Sequence, residues 1–276
     1  MRDLFFLSAA EFTCRTGLVE PGPLFDKRLQ KLSCTVAVCV RDNGDLVLID
    51  AGLARKTYLH PDKNFRKAML RLLGLDLARS TSIVSQLEAL GFDAGQVKTI
   101  VATHCHFDHI GGLADFPNAE LVTTPDELES IGAIGLQPFY RPADLADQVR
   151  IRTIQLTEPR KYCCPASLDL FGDGEIILLE AEGHSPGHIA AALQGPDAIY
   201  IHAGDALFLD WEIGHGFEGP SRLSKLLCSD ARALMRTQQN LRRLGSSDDA
   251  PIIVSSHDSR IFEQLPHTPL APASTP

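Results

Sequence analysis

The chain reads as an α/β protein, and three features of the sequence say so. Short runs of aliphatic and β-branched residues recur along it, at 35–40, 46–49, 97–102, 189–193 and 198–202, each of strand length. Stretches with helical spacing lie among them, and 82–91 is the clearest. There Ser82 can cap, Ile83, Val84, Leu87 and Leu90 share a face, and Gly91 can stop the helix. Histidines and carboxylates fall where apolar runs stop, which is where α/β proteins tend to keep their chemistry. With 276 residues there is ample chain for a buried core.

In chain order, residues 4–10 form an opening strand; acidic Asp3 in front and Glu11 behind argue against a secretion signal. Pro21, Gly22 and Pro23 make 13–32 a loop. The runs 35–40 and 46–49 flank Asp42-Asn43-Gly44-Asp45, a strong hairpin signal. Residues 55–77 carry Phe65, Met69, Leu72 and Leu73 at helical spacing, which predicts a helix over the entrance to a site. After the strand at 97–102 comes another at 119–122. Thr124-Pro125-Asp126-Glu127 then starts a helix, with Thr124 as cap and Glu127 as its capping-box partner. Residues 132–147 mix Gly, Pro and aromatics without a period and read as a loop-rich insertion.

Further strands are expected at 149–156, 175–180, 189–193, 198–202 and 251–254. The stretch 207–223 is rich in Gly and aromatics, and Phe208, Trp211 and Phe217, together with Met69 of the 55–77 helix, are read as substrate-pocket residues. Ser229 can cap a helix carrying Leu234, Leu241 and Leu244 and ended by Gly245. A single domain is expected over 1–265, followed by a Pro-rich, disordered tail at 266–276.

The chemistry gathers in Thr103-His104-Cys105-His106-Phe107-Asp108-His109-Ile110-Gly111-Gly112, where three histidines and an aspartate follow a buried strand. Imidazole and carboxylate suit zinc and other first-row divalent metals, and the two glycines allow a sharp turn. Asp50, His184, Asp205 and His257 also stand where apolar runs end. Each is unremarkable alone; together they suggest that several strands deliver ligands to one sheet edge. Cys105 would point away from its histidine neighbours on an extended backbone and is left out of the ligand set.

Composition narrows the function. A net charge of −9 and the lack of a basic run argue against a nucleic-acid partner. No uninterrupted apolar run nears the roughly twenty residues of a membrane helix. Seven cysteines without paired spacing argue against a secreted disulfide framework, so a soluble cytoplasmic protein is expected. The adjacent Cys163 and Cys164 receive no role.

With Asp50, His104-Cys105-His106-Phe107-Asp108-His109, His184 in Gly-His-Ser-Pro-Gly-His, Asp205 and His257 in place, the sequence resembles the metallo-β-lactamase fold superfamily. That resemblance implies a four-layered αββα sandwich with a dinuclear site at one edge of its two sheets. It implies one ion on His104, His106 and His184, and a second on Asp108, His109 and His257. Asp205 would bridge them, and Asp50 would support the site without ligation. Two zinc ions are expected, with iron, manganese and cobalt as alternatives, and a metal-bridging hydroxide as nucleophile. Asp108 would pass a proton to the leaving group. His188 is read as a structural residue of its turn.

Within the superfamily, His109 and Asp205 argue against the lactamases proper. The layout is most similar to the N-acyl homoserine lactonases, which implies hydrolysis of a small carboxylic ester or lactone. One departure stands out: those enzymes commonly carry a tyrosine where this chain has Phe208. A glyoxalase II-like thioesterase, a phosphodiesterase and a non-catalytic metal-binding protein are the alternatives.

Overall fold

The computed structural model describes the chain except residues 62–73, 78–79, 133–138, 146–149, 215, 217–218, 246–249 and 269–276. Two sheets form its centre. The first comprises β1 (Asp3–Arg15), β2 (Leu29–Val40), β3 (Leu46–Ile49), β4 (Val97–Val101), β5 (Glu120–Thr123) and β6 (Arg150–Thr153), in sequential order. β1 to β3 are antiparallel neighbours, whereas β3 to β6 pair in parallel. The second sheet comprises β7 (Ser167–Asp169), β8 (Ile176–Glu180), β9 (Ile189–Gln194), β10 (Ile199–His202) and β11 (Ile252–Val254), ordered β11-β10-β9-β8-β7.

Strand alternation explains the layering. Leu4, Phe6, Ala37, Cys39, Val47 and Ile49 face inward and meet Ile176, Leu178, Ile189, Ala191 and Leu193 of the second sheet. Their neighbours Phe5, Leu7, Val36, Val38, Leu46 and Leu48 face outward, onto Ile83, Val84 and Leu87. These last three lie on α3 (Ile83–Ala89), which follows α1 (Thr16–Val19) and α2 (Arg55–Leu59) in the chain. On the far side Ile177, Leu179, Ala190, Ala192 and Ile201 meet Leu234 and Leu241 of a long helix, Ala231–Leu244. Helix, sheet, sheet and helix give the expected four layers, with three separate apolar interfaces.

Several local expectations need correcting. Residues 13–15 and 29–32 are strand, not loop: they extend β1 and β2, paired from Thr13↔Lys31 to Arg15↔Leu29. The turn around Pro21 is correspondingly short. Of the helix expected over 55–77, only α2 lies among the described residues. Leu75 instead bridges to Phe12, and Thr13 N donates to Gly74 O, so that stretch covers the edge of β1. Most of the rest, with Met69, lies outside the described residues, as does Phe217. The long helix is capped by Asp230, whose carboxylate accepts from Arg232 N and Ala233 N; Ser229 donates to Gly183 O instead. Of the expected tail, Pro266 O accepts from Phe6 N, and His267 packs on Phe262.

The topology places the site. β3 and β4 are parallel, so their C-terminal ends point the same way. In the second sheet β8 and β10 each pair antiparallel to β9, and β11 pairs parallel to β10, so these three also share a direction. Asp50, His104, His184, Asp205 and His257 follow the ends of these five strands, as expected from the sequence.

Candidate metal centre

All seven predicted ligand side chains come together where the two sheets meet. His104 and His109 are fully buried, and Asp108, at 9%, is the most exposed of the set. Ligating atoms of His104, His106, His184 and Asp205 lie within 4.8 Å of one another, and so do those of His109, Asp205 and His257. Asp205 belongs to both groups and divides its carboxylate between them. Oδ2 lies 3.4 Å from His184 Nε2 and 3.8 Å from His104 Nε2. Oδ1 lies 3.2 Å from His109 Nε2 and 3.1 Å from His257 Nε2.

The arrangement fits bound cations. Among the described residues, His104 Nε2, His109 Nε2 and Asp205 Oδ1 are buried without a hydrogen-bond partner, a costly state that a metal would relieve. The opposite nitrogens of His104, His109 and His257 are engaged, as is usual for metal-bound imidazole. His109 Nδ1 lies 2.8 Å from Asp50 Oδ2, and His257 Nδ1 donates to Ser33 O at 2.6 Å. His104 Nδ1 meets Thr103 Oγ1 at 3.2 Å.

Electrostatics point the same way. Burial disfavours ionisation of Asp205, yet His257, His109, His184 and His104 outweigh it and hold its carboxyl well below the usual range. Burial, reinforced by neighbouring imidazoles, pushes His104 and His184 well down. His109 and His257 are pulled up despite burial, by Asp205 and, at His109, also by Asp50. The buried carboxylates therefore favour positive charge in the centre.

Local structure explains how the cluster is held. Asp50 adopts a left-handed backbone (φ 66°), tolerable for aspartate, and turns its carboxylate under the metal loop. It accepts from Thr103 N at 2.8 Å and from Thr103 Oγ1 at 2.9 Å, besides meeting His109. Thr103 O accepts from Ile189 N, tying this loop to the second sheet. α4 (Phe107–Ile110) begins inside the motif and carries Asp108 and His109. The glycines after it lie in a turn, but with right-handed backbones that other residues also adopt. They permit close approach instead: a Cβ on Gly112 would fall 2.2 Å from Ala51 O.

His188 keeps the supporting role expected. Burial pushes its pKa down to about 4, and the neutral ring accepts from Asp205 N at 3.0 Å. Phe208, 3% exposed, packs against His184 and His257, with ring centroids 5.6 and 4.9 Å away. Trp211 donates its indole N–H to Val19 O and packs on the outer core of the first sheet. All seven cysteines are free. Cys105 Sγ lies near Thr123 Oγ1, away from the cluster, as expected. Cys34, unremarked in the sequence, donates its thiol to Asp108 O at 3.1 Å, and burial keeps it neutral.

Two glutamates matter more than the sequence suggested. Glu127 does not return to a capping box. From α5 (Pro125–Gly132) it accepts from Cys105 N at 2.9 Å, Gly187 N at 3.1 Å, Tyr140 OH at 3.2 Å and Ser185 Oγ. Glu212 accepts from Phe208 N at 2.9 Å, Ser221 N at 2.8 Å, Ser224 Oγ at 2.6 Å and Gln238 Nε2 at 3.2 Å. In the sequence Glu127 reads as a capping-box partner and Glu212 as an acid beside apolar residues, and neither pattern distinguishes a buried hub from a surface charge.

Comparison with known proteins agrees with this geometry. The sequence profile of the metallo-beta-lactamase superfamily matches residues 33–257. A probable metallo-hydrolase of Mycobacterium tuberculosis is 31% identical over 250 residues, covering 84% of this chain and 76% of its own length. The N-acyl homoserine lactonase AttM of Rhizobium radiobacter is 28% identical over 205 residues, with 70% of each chain covered. An N-acyl homoserine lactone hydrolase, solved with N-hexanoyl-L-homoserine at its catalytic metal centre, superposes with a TM-score of 0.74. It covers 95% of this chain and 96% of its own at 17% identity, a likeness of fold.

Proposed function

This chain belongs to the metallo-beta-lactamase superfamily, and from that premise we propose that it is a dinuclear metal-dependent hydrolase of a carboxylic ester or lactone, of the N-acyl homoserine lactonase type. The observation that carries the two-metal reading is the division of Asp205, with one carboxylate oxygen facing each group of histidines. In this reading His104, His106 and His184 hold one ion, Asp108, His109 and His257 hold the other, and Asp205 lies between them. The donor set suits zinc, and it would also accept iron, manganese or cobalt. When bound, such ions supply Lewis acidity and water acidified toward neutral pH.

The chain's own residues do the rest. Asp205, kept ionised by the surrounding imidazoles, offsets cationic charge in a buried site. Asp108 is the most exposed of the ligand side chains, and in this reading its carboxylate carries a proton to a departing oxygen. Phe208 walls the site beside His184 and His257 and offers a substrate only an apolar face. A substrate held there must be oriented by other groups, which favours small esters and lactones with an apolar arm. The protein is taken to act in the cytoplasm on a small molecule.

Two measurements test the proposal. Elemental analysis of purified protein should find close to two divalent metals per chain, and one or none would sink the dinuclear reading. Hydrolysis should then be assayed on acyl homoserine lactones, simple lactones, aryl esters, glutathione thioesters and phosphodiesters. Turnover concentrated on lactones and esters is expected; exclusive turnover of thioesters or phosphodiesters would replace this substrate class.

A further inference from the structure

Glu127 is fully buried, and the metal-centre reading gives it no ligand role. Its four donors come from three separate segments: Cys105 between two proposed ligands, Ser185 and Gly187 just after a third, and Tyr140 from the insertion. The contact between helix and loop is close on the backbone side as well. Thr124 Oγ1 donates to Gly187 O at 2.8 Å, and a Cβ on Gly187 would fall 2.1 Å from the Thr124 hydroxyl oxygen. Tyr140 also lays its ring edge-on to His106, with centroids 4.6 Å apart. One carboxylate therefore joins the loop of His104 and His106 to the loop of His184, three side chains that come from opposite sheets.

We propose that Glu127 is a positioning residue of the metal centre: its carboxylate clamps the two loops that carry His104, His106 and His184 and sets the spacing of that metal position. The inference rests on the metal-centre reading above and adds a residue to it. The chemistry requires a carboxylate. Each oxygen receives one backbone N–H, Oε1 from Gly187 and Oε2 from Cys105. A glutamine in either orientation would aim its NH2 at one of these, donor against donor, and hydroxyl rotation at Ser185 or Tyr140 cannot relieve it. A buried acceptor-only hub of this kind acts as ligand-orienting partners do in metal sites generally, where loss costs roughly 10–100-fold in metal affinity.

The test is cobalt binding to full-length wild-type, E127Q and Ser185→Ala proteins, read by chelator competition and by visible absorption of the Co2+ site. Unfolding of the metal-free proteins is followed in parallel. E127Q should keep a cooperative unfolding transition, bind Co2+ roughly 10–100-fold more weakly and show shifted ligand-field bands. Ser185→Ala removes one donor and keeps both backbone bonds, so a smaller loss in the same direction is expected, about 2–10-fold. Wild-type affinity and an unchanged spectrum in folded E127Q would overturn the inference, even with a lowered melting temperature, because that is the mark of a purely structural residue. Should E127Q not fold, an unchanged Ser185→Ala overturns it instead. A wild-type chain that takes up no cobalt would overturn the metal reading itself, and this inference with it.

Discussion

The two sheets supply the candidate site in different ways. The first contributes His104, His106, Asp108 and His109 from a single loop, braced from the adjacent strand end by Asp50. The second contributes His184, Asp205 and His257 from three separate strand ends, and their bracing comes from far along the chain. His257 rests on Ser33 O of the opposite sheet, Asp205 N on His188, and the loop of His184 on Glu127. A compact motif can carry its own geometry, but dispersed ligands depend on the register between sheets. Damage to the first half should therefore stay within its loop, whereas damage to the second should disturb the register between the sheets.

The largest expected effect comes from the residue in which the two halves meet. Asp205→Ala removes the oxygen facing each histidine group. Activity should fall by more than about 10³-fold, several kcal/mol of transition-state stabilisation, and metal content should drop below two per chain. A variant with full activity and full metal content would mean that neither half depends on it.

Next is the brace of the first half. Asp50→Asn keeps the size but presents an amide to Thr103 N and His109 Nδ1, both of which require an acceptor in the observed arrangement. Metal affinity should fall about 10–100-fold, by the rule for partners behind a ligand. The loss should fall mainly on the proposed metal position of His109, the one ligand that Asp50 meets directly, visible as a split between tight and weak sites in a metal titration. Equal weakening of both would erase the distinction between a locally held half and a dispersed one.

Glu212 offers a contrast with Glu127, because each is a buried carboxylate with four donors, but Glu127 joins two ligand-bearing loops whereas Glu212 reaches one only at Phe208 N, beyond Asp205. Burial pushes both pKa values up, and the hydrogen bonds oppose the shift. Glu212→Gln should cost about 1–3 kcal/mol of stability through mispaired buried donors, seen as a lower melting temperature. Metal affinity should remain near wild type, since its partners are Phe208 and the helix-capping serines, Ser221 with its neighbour Ser224. A loss of metal as large as that of E127Q would dissolve the contrast.

The same split between local and dispersed features governs what the sequence disclosed. The strands around the site, the Ser82-capped helix and the ligand set were legible because period-2 alternation and strand-end placement are local patterns. His184, Asp205 and His257 could be read only jointly with the cluster. The hubs Glu127 and Glu212 were not legible as hubs, because their partners lie in other segments and a glutamate near a helix start usually has a nearer use. Arg15 and Leu29 were misread as loop because Pro21 and Gly22 dominate that stretch, while the pairing that extends β1 and β2 is decided across the sheet. The glycines at 111 and 112 lie in the turn that the sequence suggests, but it is space rather than backbone conformation that demands glycine there.

The smallest effect expected is the most informative about substrate. Phe208 lies against His184 and His257, both from the dispersed half, at the place where lactonases of similar layout commonly carry a tyrosine. Phe208→Tyr adds one hydroxyl to a side chain whose backbone is pinned by Glu212 and by His257 N donating to Phe208 O. If a lactone carbonyl or amide sits within reach, the new hydrogen bond is worth about 0.5–1.5 kcal/mol, or roughly 2–10-fold in kcat/KM. The gain should favour acyl homoserine lactones over aryl esters, which lack the amide. Equal gains on both would locate the hydroxyl at the shared ester group. A lower melting temperature with no gain on either would mean that the wall beside His184 and His257 is closed to substrate, and that orientation is supplied from the first sheet's side of the site.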